Sequence, residues 1–191
     1  VEGRALEYLH PKVCSKVCNN VEVYILVTKP SIEVCSQPWI VGDELKKRMI
    51  AIGRDFVRLF NEIDDSLLQD VYVVLMLRGA AGYMMSEALR SEGINVTEGY
   101  IYPKYVIGGT GDHTGDAKVA ILGSKLPDVG HYRVLLWPDT YATARTFDAS
   151  RRHATQKLGL KNINAMIWYG MISNVAIRRI IDMAVRSRAQ Y

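Results

Sequence analysis

Cysteine and histidine are scarce in this chain, and their scarcity excludes several functions. There are three cysteines (Cys14, Cys18 and Cys35) and four histidines. Cys14 and Cys18 lie four positions apart, wider than the gap of most zinc knuckles, and no second Cys or His pair completes a tetrad. Free thiols in a reducing compartment are the better reading. Apolar runs are short: none approaches the roughly 18 residues needed to span a membrane. Residues Val1 to Pro11 show no apolar signal-peptide core. A cytoplasmic, membrane-free protein is therefore expected. Charge of one sign is not in great excess, with 24 basic against 20 acidic residues and a net charge of +4. That mild balance suits small anions and does not argue for nucleic acid. Neither a Gly-x-x-x-x-Gly-Lys-Ser/Thr loop nor a Gly-x-Ser-x-Gly elbow occurs.

What is present describes a globular enzyme-sized domain. The hydrophobic fraction is 49% and the charged fraction 23%, within the range of folded chains. A length of 191 residues fits one domain spanning 1–191, with 1–40 as an N-terminal arm. In that arm Val21 to Val27 has strand character, and Thr28 to Pro38 reads as a loop with two prolines. From Val41 to Ile63, apolar residues recur at three- and four-residue steps, which predicts a long amphipathic helix. Asp70 then introduces the apolar run Val71 to Leu77, as expected for a strand buried on both faces. Ala81 to Arg90 reads as helix, ended by Gly93. Strands are expected at Ile94–Tyr102, Ala117–Leu122, Tyr132–Trp137 and Ile163–Trp168. Pro103 to Asp116 reads as a glycine-rich loop, Gly123 to Gly130 as a turn, and Phe147–Leu158 and Asn174–Arg188 as helices. Strands alternating with helices predict a doubly wound α/β fold with a mostly parallel sheet. Ligands in such sheets bind beyond the carboxyl ends of the strands.

Two stretches stand at such ends. The first is Val134 to Thr146. A buried strand stops at Pro138-Asp139, a short loop follows, and a helix begins near Phe147. Free N–H groups and the positive dipole end at a helix start favour an anion, most naturally a phosphate. Asp139, just ahead, is placed to take a sugar hydroxyl. The second is Leu77-Arg78-Gly79-Ala80-Ala81-Gly82-Tyr83-Met84, where a cation and small residues let backbone approach a ligand closely. A third loop, Gly108 to Asp116, is followed by a strand and not by the helix that a dinucleotide fingerprint requires. Asp112, His113 and Asp116 can be read as metal ligands there, but a solvated Gly-Asp loop is the simpler reading.

The frame Pro138-Asp139-Thr140-Tyr141-Ala142-Thr143-Ala144-Arg145-Thr146 resembles the ribose-phosphate signature of type I phosphoribosyltransferases. That signature is an apolar run, two acids, two variable residues, then Ala-Thr-Gly-Gly-Thr or -Ser. Arg78-Gly79-Ala80 resembles the family's pyrophosphate loop, nearest to the Leu-Arg-Ala-Gly-Leu-Gly-Met of the uracil-specific branch. Lys125-Leu126-Pro127 matches a Lys-Leu-Pro common in that branch. The motifs are degenerate. Pro138 stands where the family has an acid, reversing the Asp-Pro order of the uracil branch, and Ala144-Arg145 replace two glycines. The uracil branch's C-terminal Gly-Tyr-Ile-Val-Pro-Gly-Leu-Gly-Asp-Ala-Gly-Asp stretch does not follow the loop.

The resemblance implies transfer of ribose-5-phosphate from phosphoribosyl pyrophosphate to a nucleobase, uracil being favoured, with Mg2+ entering alongside the substrate. It implies that Arg78, Gly79 and Ala80 hold pyrophosphate and that Asp139 holds a ribose hydroxyl. Thr140, Ala142, Thr143, Ala144, Arg145 and Thr146 would then line the 5′-phosphate cradle. Asp139 and Arg78 are the residues expected to serve the reaction itself. The interval holding Lys104, Asp112 and His113 corresponds to the family's covering loop. A homodimer or larger homo-oligomer is expected. The alternative is an inactive protein of the same fold that binds a nucleotide or regulates a partner.

Overall fold

The computed structural model describes residues 26–37, 39–64, 66–77, 81–106, 118–128, 130, 132–159 and 163–188. Five strands and five α-helices follow in order: α1 (Lys29–Ser36), α2 (Gly42–Ile63), β1 (Asp70–Met76), α3 (Met85–Ser91), β2 (Asn95–Val106), β3 (Lys118–Lys125), β4 (Val134–Pro138), α4 (Arg145–Leu158), β5 (Ala165–Tyr169) and α5 (Asn174–Arg188). The strands form one sheet in the order β3-β2-β1-β4-β5. All neighbours run parallel except β2 and β3. This is the expected doubly wound, mostly parallel α/β sheet.

The alternation along β1 explains why both faces are covered. Val71 and Val73 pack under Phe56 and Val57 of α2 and Met85 and Leu89 of α3. Tyr72, Val74 and Met76 point the other way, toward Phe147 and Ala154 of α4 and Ala176 and Ile180 of α5. A strand serving two cores must be apolar at every position, which is why the run from Val71 to Leu77 lacks the polar alternation of a half-exposed strand. Of the α2 stripe that the periodicity marks, Met49, Ile52, Phe56 and Leu59 are buried, Leu45 and Phe60 are half-buried and Ile63 is exposed, while Gly53 and Val57 are buried beside it.

Several local readings need correction. Thr28 to Pro38 is not a loop: Lys29–Ser36 is helical. Thr28 and Ser31 form a reciprocal capping box, and Pro30 sits in the first turn, where its missing N–H has no intrahelical partner to serve. Leu26 and Val27 are not in a strand, and Val21 to Ile25 lie outside the described residues.

Strand β2 runs through Pro103 to Val106 instead of ending at Tyr102. Pro103 is tolerated because β1 pairs β2 only as far as Met76↔Ile101, so beyond that point β2 is bonded on one side. The register shifts there, from Tyr102↔Gly123 to Pro103↔Ile121, leaving Leu122 as an extra residue on β3. Strand β3 likewise continues through Gly123 and Ser124 to Lys125. Helix α4 starts at Arg145, two residues before the apolar position Phe147 that marks its inner face.

Candidate functional site

The strand order reverses between β1 and β4. Chains leaving a sheet at such a point diverge to opposite faces and open a crevice between them. The two sequence-derived stretches follow these two strands. Arg78, Gly79 and Ala80, which follow β1, lie outside the described residues, as do Asp112, His113 and Asp116. Residues 138 to 146 are described throughout, and their loop is tightly held.

Its inner side is bonded to the segment after β5. The Asp139 N–H donates to the Tyr169 carbonyl at 3.0 Å, and the Tyr141 N–H to the Met171 carbonyl at 2.8 Å. The Ser173 N–H donates back to the Tyr141 carbonyl at 2.9 Å, and the Ser173 hydroxyl to the Ala142 carbonyl. Ser173 also caps α5, accepting from the Ala176 N–H at 3.1 Å. Inside the loop, the buried Tyr141 hydroxyl donates to the Trp137 carbonyl at 2.5 Å. These bonds fix the backbone and leave Thr140, Ala142 and Thr143 exposed on the outer side.

The sequence-derived residues therefore divide. Pro138 and Asp139 are buried, Asp139 being 6% exposed. Ala144 is buried and Arg145 half-buried at the first position of α4. The Thr146 side chain is also buried, and its hydroxyl donates to the Tyr105 hydroxyl on β2 at 3.1 Å.

Ala144 carries the most informative backbone. It precedes α4 with φ 55° and ψ 13°, in the left-handed region, and gives the helix no side-chain cap. An L-residue there costs about 1–2 kcal/mol relative to a right-handed one, and glycine escapes that cost. Ala144 is also the first of the two positions at which the resembled signature has glycine. The backbone makes a glycine-like turn although the residue is alanine. The α4 start thus carries the positive end of the helix dipole with no side-chain cap on it.

A second strained segment precedes α3. Gly82, Tyr83 and Met84 have φ of 68°, 51° and 57°, so the stretch read as the start of a regular helix is a left-handed turn ahead of α3. Gly82 suits this turn because its φ of 68° is one that side chains avoid, and a Cβ there would also push the Leu75 Cδ2 methyl, 2.2 Å away, aside. The turn carries the Tyr83 ring across the crevice, where its hydroxyl bonds the Thr140 hydroxyl. The ring meets Tyr169 edge-on at a centroid distance of 6.5 Å. Burial, with smaller contributions from Tyr83 and Asp55, pushes the Tyr169 phenol well above its usual range, so it is neutral at physiological pH. Beside these rings lies an apolar cavity of 760 Å³, whose lining includes Tyr83, Tyr169, Gly170, Met171 and Ile172 together with Phe56 of α2.

Tyr83 lies in the stretch Leu77–Met84 that the sequence marks, though with no role of its own, whereas Tyr105, Gly170 and Ser173 were not singled out as site residues. Ser173 was legible in principle, as a cap residue directly before a helical pattern. The others acquire their place only through strand pairing and the left-handed turn.

Geometrically, then, the molecule is an α/β domain whose strand order reverses between β1 and β4, with a buried carboxyl residue after β4 and a helix start that lacks a side-chain cap. The sequence matches no family model and none of the curated proteins. Among solved structures, it is similar to a hypoxanthine phosphoribosyltransferase from Staphylococcus aureus, at 18% identity and a TM-score of 0.44, covering 64% of this chain and 61% of that one. It is similar also to the hypoxanthine-guanine phosphoribosyltransferase of L. donovani, at 15% identity and a TM-score of 0.42, covering 66% of each chain. A hypothetical protein from Neisseria gonorrhoeae with bound ppGpp aligns at 11% identity and a TM-score of 0.40, over 76% of this chain and 95% of that one. The alignments with the two phosphoribosyltransferases span less than two thirds of those chains.

Proposed function

We propose that this chain is a phosphoribosyltransferase-like protein that binds phosphoribosyl pyrophosphate across the β1–β4 crevice. It would transfer ribose-5-phosphate to a nucleobase nitrogen, with uracil favoured by Arg78-Gly79-Ala80 and Lys125-Leu126-Pro127. One observation carries this reading: the left-handed Ala144 before an uncapped α4, at the position where the resembled signature places a glycine.

In this reading the 5′-phosphate sits on the N–H groups at the α4 start, with the exposed Thr143 hydroxyl and the Arg145 guanidinium beside it. Asp139 holds a ribose hydroxyl. Arg78 and the N–H groups around Gly79 and Ala80 hold the pyrophosphate. The chain's work is then positioning and charge stabilisation as positive charge grows on the ribose. Mg2+ would be held largely by substrate oxygens and would neutralise the leaving pyrophosphate. Asp139 is the acid at the crevice that suits such shared binding, and among the described residues no three acidic, His or Cys side chains converge into a metal cage. A homodimer or larger homo-oligomer accompanies this reading.

A second reading is a nucleotide-binding protein of the same architecture without transferase activity. It is favoured by the Thr146 hydroxyl, which is turned inward onto Tyr105 instead of toward the crevice. One experiment separates the two. The protein is incubated with phosphoribosyl pyrophosphate, Mg2+ and each common base, and pyrophosphate release is followed at high protein concentration. Release with uracil is the expected result. Binding of phosphoribosyl pyrophosphate or a nucleoside monophosphate without release from any base moves the protein to the second reading. Neither binding nor release removes both.

A further inference from the structure

The left-handed turn Gly82-Tyr83-Met84 places two non-glycine residues in succession where side chains are disfavoured. Strain of this kind persists only where surrounding structure imposes it, and it collects at ligand sites. Here the turn begins one intervening residue after the stretch 78–80, and what it delivers is one side chain. Tyr83 is 6% exposed. Its ring is fixed from one side by Tyr169, and a Cβ on Gly170 would lie only 3.0 Å from Tyr83 Cε2. The ring thus has little room to turn, and its hydroxyl is presented at a set point, to Thr140.

Thr140 sits between the buried Asp139 and the buried Tyr141, on the exposed side of the loop. The backbone bonds from 169–173 hold the loop from within. The Tyr83 bond holds it from across the crevice, from the β1 side.

We propose that Tyr83 is a positioning residue: through Thr140 it holds the 139–146 loop in the conformation that receives ribose-phosphate, and links that loop to the one after β1. The ligand named here rests on the ribose-phosphate reading above, whereas the mechanical link does not. The phenol takes no part in bond making. It sets where the Asp139 carboxyl and the α4 amides stand relative to each other.

The test uses the full chain and the substitutions Tyr83→Phe and Thr140→Val, each of which removes one hydroxyl and keeps the bulk. The first readout is amide hydrogen exchange without ligand. Faster exchange confined to residues 140–145, with β4 (Val134–Trp137) unchanged, is the expected result in both variants. Unchanged exchange in the loop overturns the proposal. A uniform rise across the sheet also overturns it, because it marks a merely structural role. The second readout is calorimetric binding of phosphoribosyl pyrophosphate with Mg2+. Affinity should fall by a few-fold to about tenfold in either variant, as for loss of one hydrogen bond. The double variant should be no worse than the worse single one, the signature of a shared bond. Additive losses would overturn the link. If the unaltered protein binds no phosphoribosyl pyrophosphate, the functional reading fails, and the exchange experiment still decides the role of Tyr83.

Discussion

Gly170 lies against Asp139 so closely that a Cβ on Gly170 would stand 2.0 Å from the Asp139 carbonyl oxygen. The same glycine has φ 137°, a conformation that side chains avoid. The loop after β4 and the turn after β5 therefore fit together only because position 170 has no side chain. Gly170→Ala should be among the most damaging small substitutions, since it adds both overpacking and backbone strain, each about 1–3 kcal/mol. Chemical denaturation should show a loss of about 3 kcal/mol or more on that basis, and phosphoribosyl pyrophosphate binding should be lost with it. A variant of unaltered stability would show that the two turns are free to separate.

Ala144→Gly should do the reverse. It relieves a left-handed residue worth about 1–2 kcal/mol, against about 0.4–1 kcal/mol for the greater freedom of glycine in the unfolded chain. A small net stabilisation is expected, read as a higher thermal midpoint. A clear fall would mean that the buried Ala144 methyl matters more than its backbone.

Arg145→Gly probes the second departed glycine. The guanidinium stands at the first position of α4, where a cation beside a bound phosphate adds a charge-assisted bond. Loss of such a bond should weaken phosphoribosyl pyrophosphate binding by about tenfold or more. Tighter binding in the variant would show that Arg145 fills the site instead of serving it.

Gly53 of α2 faces Ala88 of α3, and a Cβ there would lie 2.5 Å from the Ala88 Cβ. Alanine would ordinarily favour a helix over glycine by about 1 kcal/mol. Here the clash should prevail, because both helices are pinned on one face of the sheet and relieving it means moving one of them. Gly53→Ala should therefore lower the unfolding midpoint, and Gly53→Ala with Ala88→Gly should restore much of it.

Alkaline stability should depend on Tyr72. Its phenol, buried and near Asp128 and Tyr132, is pushed up to about 12. The folded state thus holds this proton more tightly than the unfolded chain, whose phenol titrates near 10. The stabilisation is complete below about pH 10 and lost as the pH rises toward 12. Unfolding free energy measured across that interval should fall. Tyr72→Phe should flatten the fall, and should cost stability at neutral pH because the Pro127 carbonyl loses its 2.8 Å donor.

Much of the architecture could be read from the residues alone. The apolar run after Asp70 and the stripe of α2 follow from burial, which the hydrophobic pattern reports directly. The α4 start was legible as a helix N-terminus because Asp139 and the small residues after it interrupt both periodicities. What could not be read depended on partners distant in the chain. Tyr83 is one tyrosine among eleven in the sequence until a left-handed turn sends it to Thr140. Helix α1 was hidden by its own Pro30, whose effect reverses between the interior and the first turn of a helix. The register of β2 past Pro103 was hidden because a proline is a stop only where both edges of a strand are in use.

That last point reaches further. The Leu77 N–H donates to the Ile101 carbonyl at 2.8 Å, and the next rung of a parallel ladder would need an N–H from residue 103. Pro103 has none. A single imino acid on the neighbouring strand is therefore matched to the end of the β1–β2 ladder and withholds the donor that a further rung would need. The end of that ladder is thus matched in β2, about twenty-five positions downstream in the sequence. A substitution at position 103 can thus supply one more rung to the β1–β2 ladder without touching a residue of β1.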